Sequence, residues 1–138
     1  MECATFTKKE TVDCFNDLLL DFVSACEPLF KGSQMEADLT YCKTALKTLV
    51  MVNITTPIEQ YLMYAYVQYG SYIDNNDIDG LLQLDYTKSA QEVDVDMAKI
   101  LNVKALMTGI SNDNRLIILQ YLQMLNRLSE RYYELNKK

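Results

Sequence analysis

Between Pro57 and Ile73 the chain reads PIEQYLMYAYVQYGSYI, a run whose only charged side chain is Glu59. Ile58, Leu62, Ala65, Tyr66, Tyr69 and Ile73 share one side of a helix of 3.6 residues per turn, while Met63, Tyr64 and Val67 fall on the other. A helix that is apolar nearly all round has to be covered on most sides, so this segment is expected at the centre of a bundle or against a partner. Its start is well marked: Thr56 as hydroxyl cap, Pro57 at the first helical position and Glu59 three residues after the cap. Tyr61, Tyr64, Tyr66, Tyr69 and Tyr72 could stack on nucleic-acid bases, but no basic residue stands between them. Buried or interfacial packing, with each hydroxyl finding a partner, is the simpler use of such a set.

The flanking segments show the narrower stripes of ordinary amphipathic helices. Thr7-x-x-Glu10 is a capping box, followed by Val12, Phe15, Leu18, Leu19, Phe22, Val23, Cys26 and Leu29 at spacings of three and four. This predicts a helix running to about Phe30, with Pro28 bending or stopping its last turn. Ser33-x-x-Glu36 reads as a second box ahead of a helix that carries Leu39, Cys42, Leu46, Leu49 and Val50 and ends near Val52. A further helix is expected over Val95–Thr108, stopped by Gly109. Ser111 caps the last one, whose stripe of Ile117, Ile118, Tyr121, Leu122, Leu125, Leu128, Tyr132 and Leu135 continues to about residue 135. Between them, residues 74–94 form an acidic loop region with room for one helical turn at Leu81, Leu82 and Leu84.

Four glycines and two prolines in 138 residues are too little punctuation for a sandwich or barrel, and no glycine-rich phosphate loop is present. The length fits one domain, 1–138, and 49% apolar residues are enough to fold it. The expected fold is therefore an all-α bundle of about five or six helices around the apolar central helix 57–73. No apolar run reaches the length of a membrane span, and MECATFTKKE lacks the core of a secretory signal, so an intracellular location is expected.

The net charge of −6 is unevenly placed. Residues 74–96 hold seven acids and one lysine, whereas 97–138 hold seven bases and three acids. An acidic chain repels phosphate backbones, which argues against nucleic acid as a partner.

The absence of histidine removes the commonest general base and metal ligand, so Ser-His-Asp and Cys-His arrangements are impossible within this chain. Cys3, Cys14, Cys26 and Cys42 form no CxxC pair and read as free thiols, three of them inside helical patterns. The sharpest metal motif is Asn75, Asp77, Asp79 and Gly80, at positions one, three, five and six of an EF-hand-like calcium loop. Position twelve, however, is Tyr86, where a glutamate should close the site, so the loop reads more simply as an acidic turn. The expectation is a chain with no cofactor, no resident metal and no enzymatic activity. The end of the last helix, with Arg127, Arg131, Tyr132, Tyr133 and Leu135, is the expected interaction surface, for a partner protein or for the acidic loop of a second copy.

The segments FNDLLLDFVSACEPLF, TPIEQYLMYAYVQYGSYIDNNDIDGLLQLDY and SNDNRLIILQYLQML, which span most of the chain, resemble the pattern of small helical proteins of large nucleocytoplasmic DNA viruses of algae and protists. Leu81 and Leu82 stand where that pattern often has phenylalanines. The resemblance implies a viral protein, a virion component or an accessory factor, located in the host cytoplasm or the virion, with no catalytic residues to carry over. The apolar helix 57–73 also resembles the centre of a Bcl-2-like fold, which implies a module that binds a partner helix, although the Asn-Trp-Gly-Arg-type signature is missing because the chain has no tryptophan.

Overall fold

The computed structural model describes residues 3–86 and 93–137; residues 87–92 of the expected 74–94 loop region, and Lys138, lie outside them. The protein is an all-α single-domain bundle, with no strand among the described residues. In chain order its helices are α1 (Lys8–Cys26), α2 (Gln34–Val52), α3 (Thr56–Tyr61), α4 (Val67–Asp74), α5 (Ile78–Gln83), α6 (Val95–Ile100), α7 (Val103–Met107) and α8 (Asn112–Asn136). A π-helical turn, Leu62–Tyr66, joins α3 to α4 into one central rod, and a 3-10 turn, Glu27–Phe30, follows α1 around Pro28.

The caps explain where helices start. At α1 the capping box forms as expected: the Glu10 amide donates to the Thr7 hydroxyl at 3.1 Å and the Thr7 amide to Glu10 Oε1 at 2.9 Å. The Ser33 box does not form, because the Ser33 hydroxyl donates backwards to the Phe30 carbonyl and Glu36 Oε1 accepts from the Gly32 amide. The central rod starts one residue earlier than expected, with Thr55 at the cap and its amide on Asn53 Oδ1. The helix expected over Val95–Thr108 is two short ones. Asn102 Oδ1 accepts from the Ala105 amide and caps α7, so a side chain that competes with the backbone breaks the run. Gly109, at φ +81°, then supplies the left-handed turn into α8, where Ser111 accepts from the Asn114 amide.

α8 lies antiparallel to both α1 and the central rod. Lys8 reaches the Tyr132 ring and Phe22 packs on Tyr121, while Glu59 meets Tyr132 at one end of the rod and Asp74 meets Asn126 at the other. Phe15, Leu19, Phe22 and Val23 of α1, Ile58, Tyr61 and Ile73 of the rod, and Leu122, Leu125 and Leu128 of α8 are at most 1% exposed. Each such aliphatic or phenyl side chain contributes about 1.5–3 kcal/mol on burial, which makes this three-helix seam the main source of stability. α2 packs against α1 and the 3-10 turn after it, where Lys43 Nζ meets Glu27 Oε1 at 2.5 Å and the Thr40 hydroxyl donates to Glu27 Oε2 at 2.7 Å. Those two partners hold the Glu27 carboxyl below the usual glutamate range.

The π turn corrects the expected faces of the central rod. One extra residue in the turn puts Tyr64 and Tyr69, five positions apart, on the same side, where their rings meet edge-on at 6.1 Å. Tyr64 is therefore buried with Tyr61 and Tyr69, whereas Met63 and Val67 are 44% and 76% exposed, so the rod is not covered on those faces. The buried tyrosines end on polar groups. Tyr61 donates to Asn126 Oδ1 at 2.5 Å and reaches the Leu122 carbonyl, while Tyr64, Tyr69 and Tyr86 donate to the carbonyls of Tyr86, Leu101 and Leu81. Asn126, fully buried, in turn donates to the Gly70 carbonyl at 3.2 Å and to Asp74 Oδ1 at 3.1 Å.

Replacing Asn126 by Ala removes three hydrogen bonds and leaves the Gly70 carbonyl without this donor; the expected loss is about 2–4 kcal/mol, read by urea unfolding. An unchanged midpoint would show that the network contributes nothing. Burial raises the Tyr61 and Tyr69 phenols well above their usual range. In the unfolded chain they ionise near pH 10, so their contribution is intact below that pH and falls by about 1.4 kcal/mol per pH unit per tyrosine above it. Steep alkaline unfolding above about pH 10 is expected, with the 295 nm absorbance of these phenolates rising only as far-UV circular dichroism is lost.

Candidate functional site

α2 packs against α6 as well as against α1. Its inner face, Leu39, Cys42 and Leu46, is buried, and the next row, Met35, Asp38, Ala45 and Leu49, is half-buried along a groove whose other wall is α6 and α7. Two hollows follow one another there. The wider, about 220 Å³, is lined by Ala45, Leu46, Leu49 and Val52 of α2 and by Asp94, Asp96, Met97 and Ile100. The narrower, about 100 Å³, lies between Met35, Asp38, Leu39 and Cys42 on one side and Lys99, Asn102 and Ala105 on the other. Val52 is 81% exposed, and Met51, Ile54 and Val95 are exposed as well.

The second wall is short but tied down. Asp94 caps α6 by accepting from the Asp96 amide at 3.0 Å, and its own amide donates to Gln60 Oε1 of the central rod at 3.1 Å. Met97 and Ile100 are buried against the core, and the Tyr69 hydroxyl holds the Leu101 carbonyl, between α6 and α7, at 2.6 Å. The buried tyrosine set thus fixes one side of an open apolar surface. The carboxylates of Asp38, Asp94 and Asp96 make its rim acidic, with Lys99 as the cation that lines it. Burial, followed by the charge of Asp96, pushes the Cys42 thiol up to about 11, and its Sγ donates to Asp96 Oδ1 at 3.7 Å. Cys26 is pushed up to about 12 by burial. Thiols kept protonated at neutral pH are poor nucleophiles.

The residues expected from sequence as an interaction surface are not gathered on one face. Arg131 Nε donates to the Phe6 carbonyl at 3.0 Å and fastens the segment before α1, and Tyr132 is buried with its hydroxyl on Glu59 Oε2 at 2.8 Å. Burial and that carboxylate push the Tyr132 phenol up to about 12. Leu135 is half-buried. Tyr133 is 57% exposed with Lys137 over its ring, and Arg127 is exposed in a polar cleft with Asp74, Asn76, Gln123 and Glu130.

In the Asn75, Asp77 and Asp79 loop it is the Asp77 side chain that serves the turn. Asn75 ends α4, Asn76 takes the left-handed conformation at φ +58° with its Oδ1 accepting from Gln123, and Asp77 caps α5 through the Gly80 amide at 2.9 Å. A Cβ on Gly80 would come within 2.6 Å of Asp77 Oδ2 and the Tyr72 ring, so glycine there serves close packing. Tyr86, at position twelve, points into the core with its hydroxyl on the Leu81 carbonyl. Among the described residues, no group of three or more His, Cys, Asp and Glu is gathered to hold a metal ion.

The sequence carries only a weak signal for the groove: Met51 and Val52 extend the apolar run of α2 beyond its stripe, and Asp94 and Asp96 flank Val95 just before Met97.

Asp77→Ala is expected to cost about 1 kcal/mol through loss of the α5 cap. Millimolar calcium should leave the melting temperature of the unaltered protein unchanged, and a calcium-dependent rise abolished in Asp77→Ala would establish an ion site.

No helix among the described residues is long and apolar enough to cross a membrane. No family model matches the chain, and no curated protein and no solved structure matches it either.

Proposed function

We propose that the protein acts without catalysis, by binding another protein through the groove between α2 and the α6–α7 pair. The observation that carries this reading is an apolar hollow of about 220 Å³ left open on the surface, with Val52, 81% exposed, in its lining. Exposed apolar surface of this kind marks interaction sites in water-facing proteins. The hollow is smaller than the roughly 300–1,000 Å³ of small-molecule sites, which favours a protein side chain as occupant. The lack of histidine and the protonated state of Cys26 and Cys42 weigh against nucleophilic or acid–base chemistry.

The resemblance to helical proteins of large nucleocytoplasmic DNA viruses favours a virion component or an accessory factor over a housekeeping role. Of the two, an open groove favours the accessory factor, a module that recognises a partner helix as a Bcl-2-like protein does, because a shell component needs a broad self-associating face. An intracellular partner is part of the same proposal.

Benzene titrated into methyl-labelled protein tests the groove. Saturable shifts are expected at Leu46, Leu49, Val52, Met97 and Ile100, and none at Met63, Val67, Leu116 or Ile117. Shifts spread evenly over all exposed methyl groups would overturn the reading. Sedimentation over a range of concentration and salt then separates the two roles: a constant monomer mass supports partner docking, and growth with concentration that disappears in Val52→Asp supports self-assembly.

A further inference from the structure

We infer that the occupant of the groove is an amphipathic helix of net positive charge, contributed by a partner protein; this rests on the groove being the binding surface. Three observations lead to it.

The first is length. The wider hollow is lined by α2 residues 45–52 and the narrower by 35–42, so their centres are about ten residues apart, roughly 15 Å at a rise of 1.5 Å per residue. A helix lying along α2 presents side chains on one face at i, i+4, i+7 and i+11, and the outermost pair spans about 16 Å. One anchor in each hollow therefore matches a helix of about three turns.

The second is volume. A cavity of about 150 Å³ holds benzene, so the 220 Å³ hollow takes a Phe or Leu side chain, whereas the 100 Å³ hollow takes a smaller one such as Val or Ala. The two anchors are unequal, which fixes the direction in which the helix lies.

The third is charge. Asp94 and Asp96 stand at the wider hollow and Asp38 at the narrower, against Lys99, so both ends of the groove carry carboxylate. Lys or Arg flanking the apolar anchors would meet these carboxylates, and an acidic helix would be repelled; such rim charges select the partner and speed its arrival. Among the described residues, the last helix of a second copy does not match this description. This helix, α8, balances Arg115, Arg127 and Arg131 with Asp113, Glu130 and Glu134, and it keeps Leu125, Leu128 and Tyr132 buried and Arg131 on the Phe6 carbonyl.

The test is a phage-displayed library of 18-residue helix-forming peptides panned against the full chain, followed by fluorescence anisotropy with the enriched peptides. Enrichment of net-positive sequences carrying a large and a small apolar residue eleven positions apart is expected. Binding should fall at least tenfold with Val52→Asp, which alters an exposed position at the mouth of the wider hollow. Asp38→Lys with Asp96→Lys, which leaves the Asp94 cap of α6 in place, should also lower it at least tenfold and raise binding of a charge-reversed peptide, with circular dichroism unchanged in each variant. Net-acidic or neutral winners that still lose binding in Val52→Asp would overturn the charge inference while leaving the groove as the docking surface. Winners indifferent to Val52→Asp, or no enrichment at all, would overturn both. Dimerisation of the chain in sedimentation that the enriched peptides abolish would assign the groove to a second copy and overturn the partner inference.

Discussion

The bond between Tyr61 and Asn126 sits where the central rod crosses α8, in a place with no access to water. In such surroundings an unpaired amide or phenol costs far more than it does at the surface, so each group commits the other to a single position. Asn126 then spends its amide protons on Gly70 and Asp74, which fixes the register of α4 on α8. With those two helices locked, α1 has one place to lie, in the seam where Phe15 meets the Tyr61 ring at 5.4 Å. The apolar residues provide the energy of assembly, and this small polar cluster decides which assembly forms.

The other buried tyrosines carry that order outward. Their rings belong to the core and their hydroxyls to loops and helix ends: Tyr86, the Leu101 turn, and the end of α5 at Leu81. Irregular segments are hard to bury because their backbone groups need partners, and here the core itself supplies the donors. A chain with so few glycines and prolines can thereby hold short, broken helices in fixed places without tight turns.

Much of this architecture is legible in the residues and some is not. Stripes at spacings of three and four located α1, α2 and α8, and the Thr7 and Ser111 caps and Gly109 marked boundaries through their own local chemistry. The faces of the central rod could not be read with a fixed period of 3.6, because the π turn adds a residue that only the packing of Tyr64 and Tyr69 makes worthwhile. The break at Asn102 depends on which of two competing hydrogen bonds the tertiary fold leaves available. The groove was hidden for a related reason: it arises from residues about fifty positions apart, none unusual by itself. By contrast, Arg131 and Tyr132 read in sequence as a charged aromatic end, and in the fold they secure the amino-terminal segment and α3.

The two walls of the groove differ in stiffness. α2 is an unbroken helix of 19 residues with its inner row in the core, whereas the opposite wall is made of helices of six and five residues held by Gln60, Tyr69 and the Asn102 cap. Short elements fastened at a few points open locally at a lower free energy than the bundle as a whole. Of the two walls, the one made of α6 and α7, tied at these few points, is therefore where local opening would come first, and it would leave the α1–α8 seam undisturbed.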